Sequence, residues 1–222
     1  MGTIAITEFK NLVAPDVLPC PDPIVNRECL TVILDFCKKT NILQRDFQIA
    51  IEDDEIDADM QNSLEFDISE YANDLRPVTV LEIMVDGASY VPVARNIRNT
   101  HSHFDGKKDE RVKHFWIPNN HSIRMFDMPS NATAVWMNIS VKPLRSATVV
   151  DEELFEDWSE AIVAGTKHKL MAMPGKEWSD GGSSEYNRRV YRKYLSQAKQ
   201  IIERGRSGVY QESVKWKSFI GD

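Results

Sequence analysis

Between residues 23 and 40 the apolar positions recur at helical spacing. Val25, Cys29, Val32, Ile33, Phe36 and Cys37 fall on one broad face when projected at about 100° per residue. The pattern predicts a helix from about Pro23 to Thr40, with Asp22 as its N-cap and Pro23 at the first helical position, where a missing N–H costs nothing. Cys29 and Cys37 then lie roughly 12 Å apart along the axis, beyond disulfide reach, and are read as small buried hydrophobes. Val13 to Pro23, with its Pro-Cys-Pro, is expected to run as an extended strap.

From about residue 45 to 150 the period changes from 3.6 to 2. Phe47-Gln-Ile-Ala-Ile and Leu64-Glu-Phe-Asp-Ile alternate, and Val78 to Val85 meets Asp86-Gly87 before Tyr90 to Val93. Asp-Gly between apolar runs is a hairpin signal, because the turn needs residues that accept positive φ. A second hairpin is predicted from Val112 to Phe126 around Asn119-Asn120. In the last strand, Thr133 to Val141, the inward positions are Val135, Met137, Ile139 and Val141. Seven short strands at this spacing predict an antiparallel sandwich or barrel, inserted between helices.

Helical spacing returns after Asp151, a predicted cap followed by Glu152 and Glu153 at the positive end of the dipole. Leu154, Phe155, Trp158, Ala161, Ile162 and Gly165 share an arc. A glycine there costs about 1 kcal/mol relative to alanine, which predicts another helix passing close by. A last helix runs from Ser183 or Ser184 to about Arg204, with Gly205 as its stop. Its apolar face spans nearly half the circumference and includes Tyr191 and Leu195, so Leu154, Trp158, Gly165, Tyr191 and Leu195 form the expected packing seam. The opposite arc carries Arg188, Arg192 and Lys199. From Ser184 to Arg206 seven basic residues stand against two acidic ones in a chain of net charge −7, a marked asymmetry. This face either approaches phosphates without reading sequence or is a solvated or subunit-paired surface. The predicted fold is therefore α+β: a helical bundle (1–44 and the helix pair 151–205) with an antiparallel β insert (45–150) and an extended tail (206–222).

Composition narrows the function classes. At 222 residues and 42% hydrophobic content the chain has enough apolar surface for a core, and three Cys without paired spacing argue against a disulfide-stapled module. No apolar run is long enough for a membrane helix, and no signal peptide is evident. Four of the five His residues, His101, His103, His114 and His121, lie in the β block. They lack the converging Cys or His-Glu ligands of a zinc site, and a polar loop accounts for them. The acidic run Glu52 to Asp59 lacks the glycine and terminal glutamate of a calcium loop and is read as solvated. Phosphate loops, nucleophile elbows and zincin helices are absent. No catalytic activity, metal or cofactor is expected.

Several stretches are similar to a known family. Ile6-Thr-Glu-Phe-Lys-Asn-Leu-Val-Ala-Pro-Asp-Val17, the Cys20-Pro-Asp-Pro lead into a helix ending Asp35-Phe-Cys-Lys-Lys-Thr40, Trp158-Ser-Glu-Ala-Ile-Val-Ala-Gly-Thr166 and Leu170-Met-Ala-Met-Pro-Gly-Lys-Glu-Trp-Ser179 resemble the head-to-tail connector (adaptor) proteins of tailed bacteriophages. The resemblance implies a structural virion protein, made in the host cytoplasm and located in the neck between the portal vertex and the tail. It implies a homo-oligomeric ring, expected to hold twelve subunits, with the portal above and a tail, stopper or nozzle protein below. Double-stranded DNA would pass through without sequence-specific contact, and no membrane partner is implied. By the same resemblance Tyr210, Trp216, Phe219 and Ile220 anchor the tail on the portal, and Arg188, Arg192 and Lys199 line the DNA channel or a subunit interface. The alternative keeps the virion but makes the chain a tail-completion or baseplate protein that uses its β insert for protein contacts.

Overall fold

The computed structural model describes residues 2–51, 64–68, 75–92, 114–117, 122–126, 128–129 and 132–204 of the chain. A short ribbon ties its beginning to the end of the strand-rich region: β1 (Thr3–Ala5) pairs antiparallel with β9 (Val149–Asp151), Thr3 facing Asp151. β1 runs directly into α1 (Ile6–Val13), a helix the apolar spacing had not singled out. Ile6, Phe9 and Val13 bury one face of it, and Phe9 meets Phe155 edge to face at 5.0 Å between ring centroids. The expected strap is correspondingly shorter, because a 3-10 turn occupies Ala14–Asp16.

α2 (Asp22–Thr40) starts from Pro21 rather than from an Asp22 cap. Asp22 lies in the first turn and accepts a hydrogen bond from Lys10 Nζ at 2.8 Å. The helix ends at Asn41 in the left-handed conformation, φ 54°, where Asn is tolerated better than most residues. The seven residues singled out by helical spacing and its end, from Val25 to Thr40, are all buried.

β2 (Gln44–Ala50), β3 (Leu64–Asp67), β4 (Leu75–Val85), β5 (Ala88–Pro92), β6 (His114–Trp116), β7 (Ser122–Phe126) and β8 (Ala134–Pro143) form one sheet in the order β2-β8-β4-β5-β6-β7-β3. The β4–β5 turn places Asp86 and Gly87 at φ 48° and 82°, as the Asp-Gly pair requires. Along β8, Val135, Met137, Ile139 and Val141 are fully buried.

This arrangement corrects the expected helical bundle with an inserted antiparallel sandwich or barrel. The fold is α+β, but its strands make a single curled, mixed seven-stranded sheet beside the two-stranded ribbon. Two physical reasons account for the difference. β5 and β6 pair in parallel, Val91 facing His114, which a hairpin cannot achieve; strand spacing along the chain does not reveal it. β8 returns between β2 and β4, and register shifts in β4 at Pro77/Thr79 and Val80/Glu82 add the local twist that lets one sheet curl over its own apolar face. The helices, for their part, close no bundle of their own. α2 packs on β8 as well as on α1 and the later helices, and buried side chains of both layers join in one core.

The chain returns to helix at α3 (Glu152–Glu156), α4 (Ser159–Met171) and α5 (Gly181–Arg204). Asp151 caps α3, its carboxylate accepting from Glu153 N at 3.2 Å. The same carboxylate binds the Arg45 guanidinium on β2, so one side chain joins the helix start to the sheet.

Candidate functional site

The packing seam converges on a third helix. A Cβ at Gly165 would lie 2.7 Å from Val32 Cγ1 on α2 and 3.0 Å from Tyr191 Cδ2 on α5, so α2, α4 and α5 touch where α4 has no side chain. Phe36 of α2 sits between Trp158 at 5.3 Å and Tyr191 at 6.3 Å, centroid to centroid. Leu154 is buried and Leu195 packs half-buried against the same core. The Tyr191 hydroxyl donates to Asp35 Oδ2 at 3.1 Å, and that oxygen also takes Lys39 Nζ at 2.7 Å. Burial, then the Asp35 charge, pushes the Tyr191 hydroxyl well above the ordinary phenol range.

A polar clamp lies further along the α4–α5 contact. Ser184 Oγ donates to the His168 carbonyl at 3.0 Å and lies 2.9 Å from His168 Nδ1. With the hydroxyl proton on the carbonyl, Nδ1 is the donor to Oγ, so this serine–histidine pair does not activate a nucleophile. The two fully buried thiols, Cys29 and Cys37, are held in the protonated form. Burial pushes Cys29 up to about 11 and Cys37 up to about 12, away from thiolate chemistry.

The basic arc of α5 is brought together only in part. Asp180 opens the helix by accepting from Gly182 N at 2.9 Å, Ser183 N at 3.1 Å and Ser183 Oγ at 2.5 Å; the Ser183 contacts hold its carboxyl below the usual range. One turn on, Glu185 is gripped by Arg188 Nε and Nη2, both at 2.6 Å, and by Arg189 Nε at 3.2 Å. These bonds pull its carboxyl down to about 2. Arg188 is thus engaged within the helix. Arg192 and Lys199 are exposed and make no ion pair among the described residues.

One surface feature escaped the sequence pattern. A groove of about 630 Å³ opens between the α1–α2 connection and the start of α5, with Leu18, Trp178 and Tyr186 on its wall. Leu18 is 72% and Tyr186 68% exposed, while Trp178 Nε1 is buried and has no hydrogen-bond partner among the described residues. A large apolar residue beside Pro19, outside any periodic run, was the signal available.

Tyr210, Trp216, Phe219 and Ile220, the acidic run 52–59, and His101, His103 and His121 lie outside the described residues; His114 lies on β6. Among the described residues no three His, Cys, Asp or Glu side chains gather as a metal site, and no helix is long and apolar enough to cross a membrane. A scan of protein-family models and a search of curated proteins find no match to this chain.

Proposed function

We propose that this chain is a structural virion protein, a subunit of a ring-shaped head-to-tail adaptor that docks under the portal, extends the DNA channel and provides the attachment site for the tail. The observation that carries this reading is α5. Its 24 residues span about 36 Å, one face seated on α2 and α4 and the other presenting Arg189, Arg192, Lys193 and Lys199 to solvent. A rigid, one-sidedly basic rod suits a wall that meets phosphates without reading bases. The net charge of −7 keeps such a wall from gripping DNA, since the long-range field opposes binding. The helix leads into the aromatic tail that carries Tyr210, Trp216, Phe219 and Ile220. A tail of this kind gains its apolar burial on docking. The adaptor-like stretches in both helical regions support the same reading.

Native mass spectrometry of the full chain, alone and mixed with the portal ring encoded in the same genome, tests it. The expected result is a ring-sized mass gain on the portal that disappears when residues 207–222 are deleted. Absence of association at both low and moderate salt overturns the adaptor role.

A further inference from the structure

Among the described residues β2 and β3 are the outermost strands of the seven-stranded sheet. Two hydrogen bonds just beyond the ends of β2 fix which of its backbone groups face outward. Val141 N donates to Leu43 O at 2.9 Å, and Ile51 N donates to Thr133 O at 3.0 Å. In an antiparallel pair such bonded positions recur at every second residue, and the register runs without a shift from Gln44 facing Ser140 to Ala50 facing Ala134. Arg45, Phe47 and Ile49 therefore turn their N–H and C=O groups to β8, whereas Gln44, Asp46, Gln48 and Ala50 turn theirs away from it. The Gln44 carbonyl accepts from Arg45 Nη1 at 2.7 Å. The N–H and C=O groups of Asp46, Gln48 and Ala50 have no partner among the described residues.

Natural edge strands are blunted by short length, Pro, bulges or outward charges. β3 has four residues, but β2 has seven, with neither Pro nor Gly and no bulge against β8. Both charged side chains of β2 are engaged inside the subunit. Arg45 binds Asp151, and Asp46 Oδ1 accepts from Asn138 Nδ2 on β8 at 2.7 Å. Asp46, Gln48 and Ala50 are exposed, and Phe47 lies half-buried at the margin of the core.

The edge is complementary to itself in one register. Two copies of β2 laid antiparallel about a two-fold axis at Phe47 set Asp46 opposite Gln48 of the second copy, twice, and Gln44 opposite Ala50, twice, so the whole strand is paired. Asp46 and Gln48 then exchange their outward N–H and C=O groups as bonded pairs. Beside each pair the Gln48 side-chain amide donates to the Asp46 carboxylate. The two Phe47 side chains meet in the close, non-bonded pair on the core side. Sliding the strands by two residues sets either the two Asp46 carboxylates or the two Gln48 amides against each other and breaks both Asp46–Gln48 contacts.

We propose that β2 of one subunit pairs antiparallel with β2 of a second copy of this chain, joining the two sheets across a two-fold axis at Phe47. The contact is isologous and closes on two copies. It uses no residue of α5 and does not rest on the adaptor reading.

Sedimentation velocity of the full chain without portal, over a range of concentrations, tests the contact together with hydrogen exchange at the edge amides. The expected result is a monomer–dimer equilibrium in which the Gln48 and Ala50 amides exchange fast in the monomer and slowly in the dimer. Gln48→Pro deletes an N–H that makes no bond within the subunit, a place where an edge strand accepts Pro. It removes one bond from each half of the contact, and dimer affinity is expected to fall about tenfold or more. Gln48→Glu sets a carboxylate against Asp46 twice and weakens the dimer, whereas Gln48→Lys sets an ammonium there and strengthens it, both effects fading as salt rises. Opposite effects from one position read the register itself. Circular dichroism checks the fold of each variant, and where Gln48→Pro does not fold, Gln48→Glu and Gln48→Lys carry the test. A chain that stays monomeric at high concentration overturns the proposal, as does a dimer or larger assembly that these substitutions leave unchanged. Edge amides protected only when portal is added overturn it in favour of a strand supplied by the portal. Portal docking is read in its own experiment, so the two-fold contact and the adaptor role fail separately.

Discussion

Gly165 is the residue on which three helices depend. Val32 is β-branched and stiff at χ1, and Tyr191 is tethered to Asp35, so neither yields easily to an added methyl group. Gly165→Ala gains up to about 1 kcal/mol of helix propensity but overpacks the contact by about 1–3 kcal/mol. A net loss of about 1 kcal/mol is expected from the urea midpoint at unchanged slope. Val32→Ala in the same chain should relieve part of the clash, making the pair less than additive. An unchanged midpoint in Gly165→Ala would show that the helices part freely. The need for a close neighbour at Gly165 was legible in the sequence, because an interior helical glycine has a cost. That the neighbour includes Val32 was not, since nothing local relates residues so distant along the chain.

At the scale of the element, helix ends are set by which oxygen can reach a free N–H. Asp151 and Asp180 reach theirs; Asp22, held by Lys10, does not cap. At the start of α5, Glu185 is fixed by Arg188 and Arg189, which hold its folded carboxyl near 2 against an ordinary value of 4.5. A carboxyl lowered in the folded state contributes stability that is present above about 4.5 and lost as pH falls toward about 2. The difference in thermal midpoint between the unchanged chain and Glu185→Gln should therefore be present at neutral pH, shrink through that window and shrink with salt, because the group is solvent-exposed. A difference independent of pH would assign the effect to something other than this charge. The helices α2 and α5 could be read from periodicity; the single helix expected after Asp151 is instead broken at Asp157 and Trp158 into α3 and α4, and α1 could not be read, since eight residues hold too few repeats to stand out.

At the scale of the whole molecule, α2 decides the architecture. It covers β8 and also receives α1, α4 and α5, so the apolar faces of helices and sheet share one core. A shared core predicts one cooperative unfolding transition. Helical circular dichroism and hydrogen exchange at the β8 amides from Val135 to Val141 should report the same unfolding free energy. Two separated values would mean that helices and sheet hold separate cores.

The sequence by itself determined where the seven strands of the large sheet and most helices form and which side of each is apolar, because those follow from local periodicity and turn chemistry; the β1–β9 ribbon it did not reveal. It determined the Asp86-Gly87 turn, the buried cysteines and the charge asymmetry of α5. Only the tertiary structure decided that the strands make one curled mixed sheet, since a parallel β5–β6 pair depends on where the chain returns rather than on alternation. It alone seated one face of α5 on α2 and α4 and so left Arg192 and Lys199 exposed. It also left β2 at an edge of the sheet with the N–H and C=O groups of Asp46, Gln48 and Ala50 facing outward, because strand order and register, not alternation along one strand, decide which backbone groups find partners.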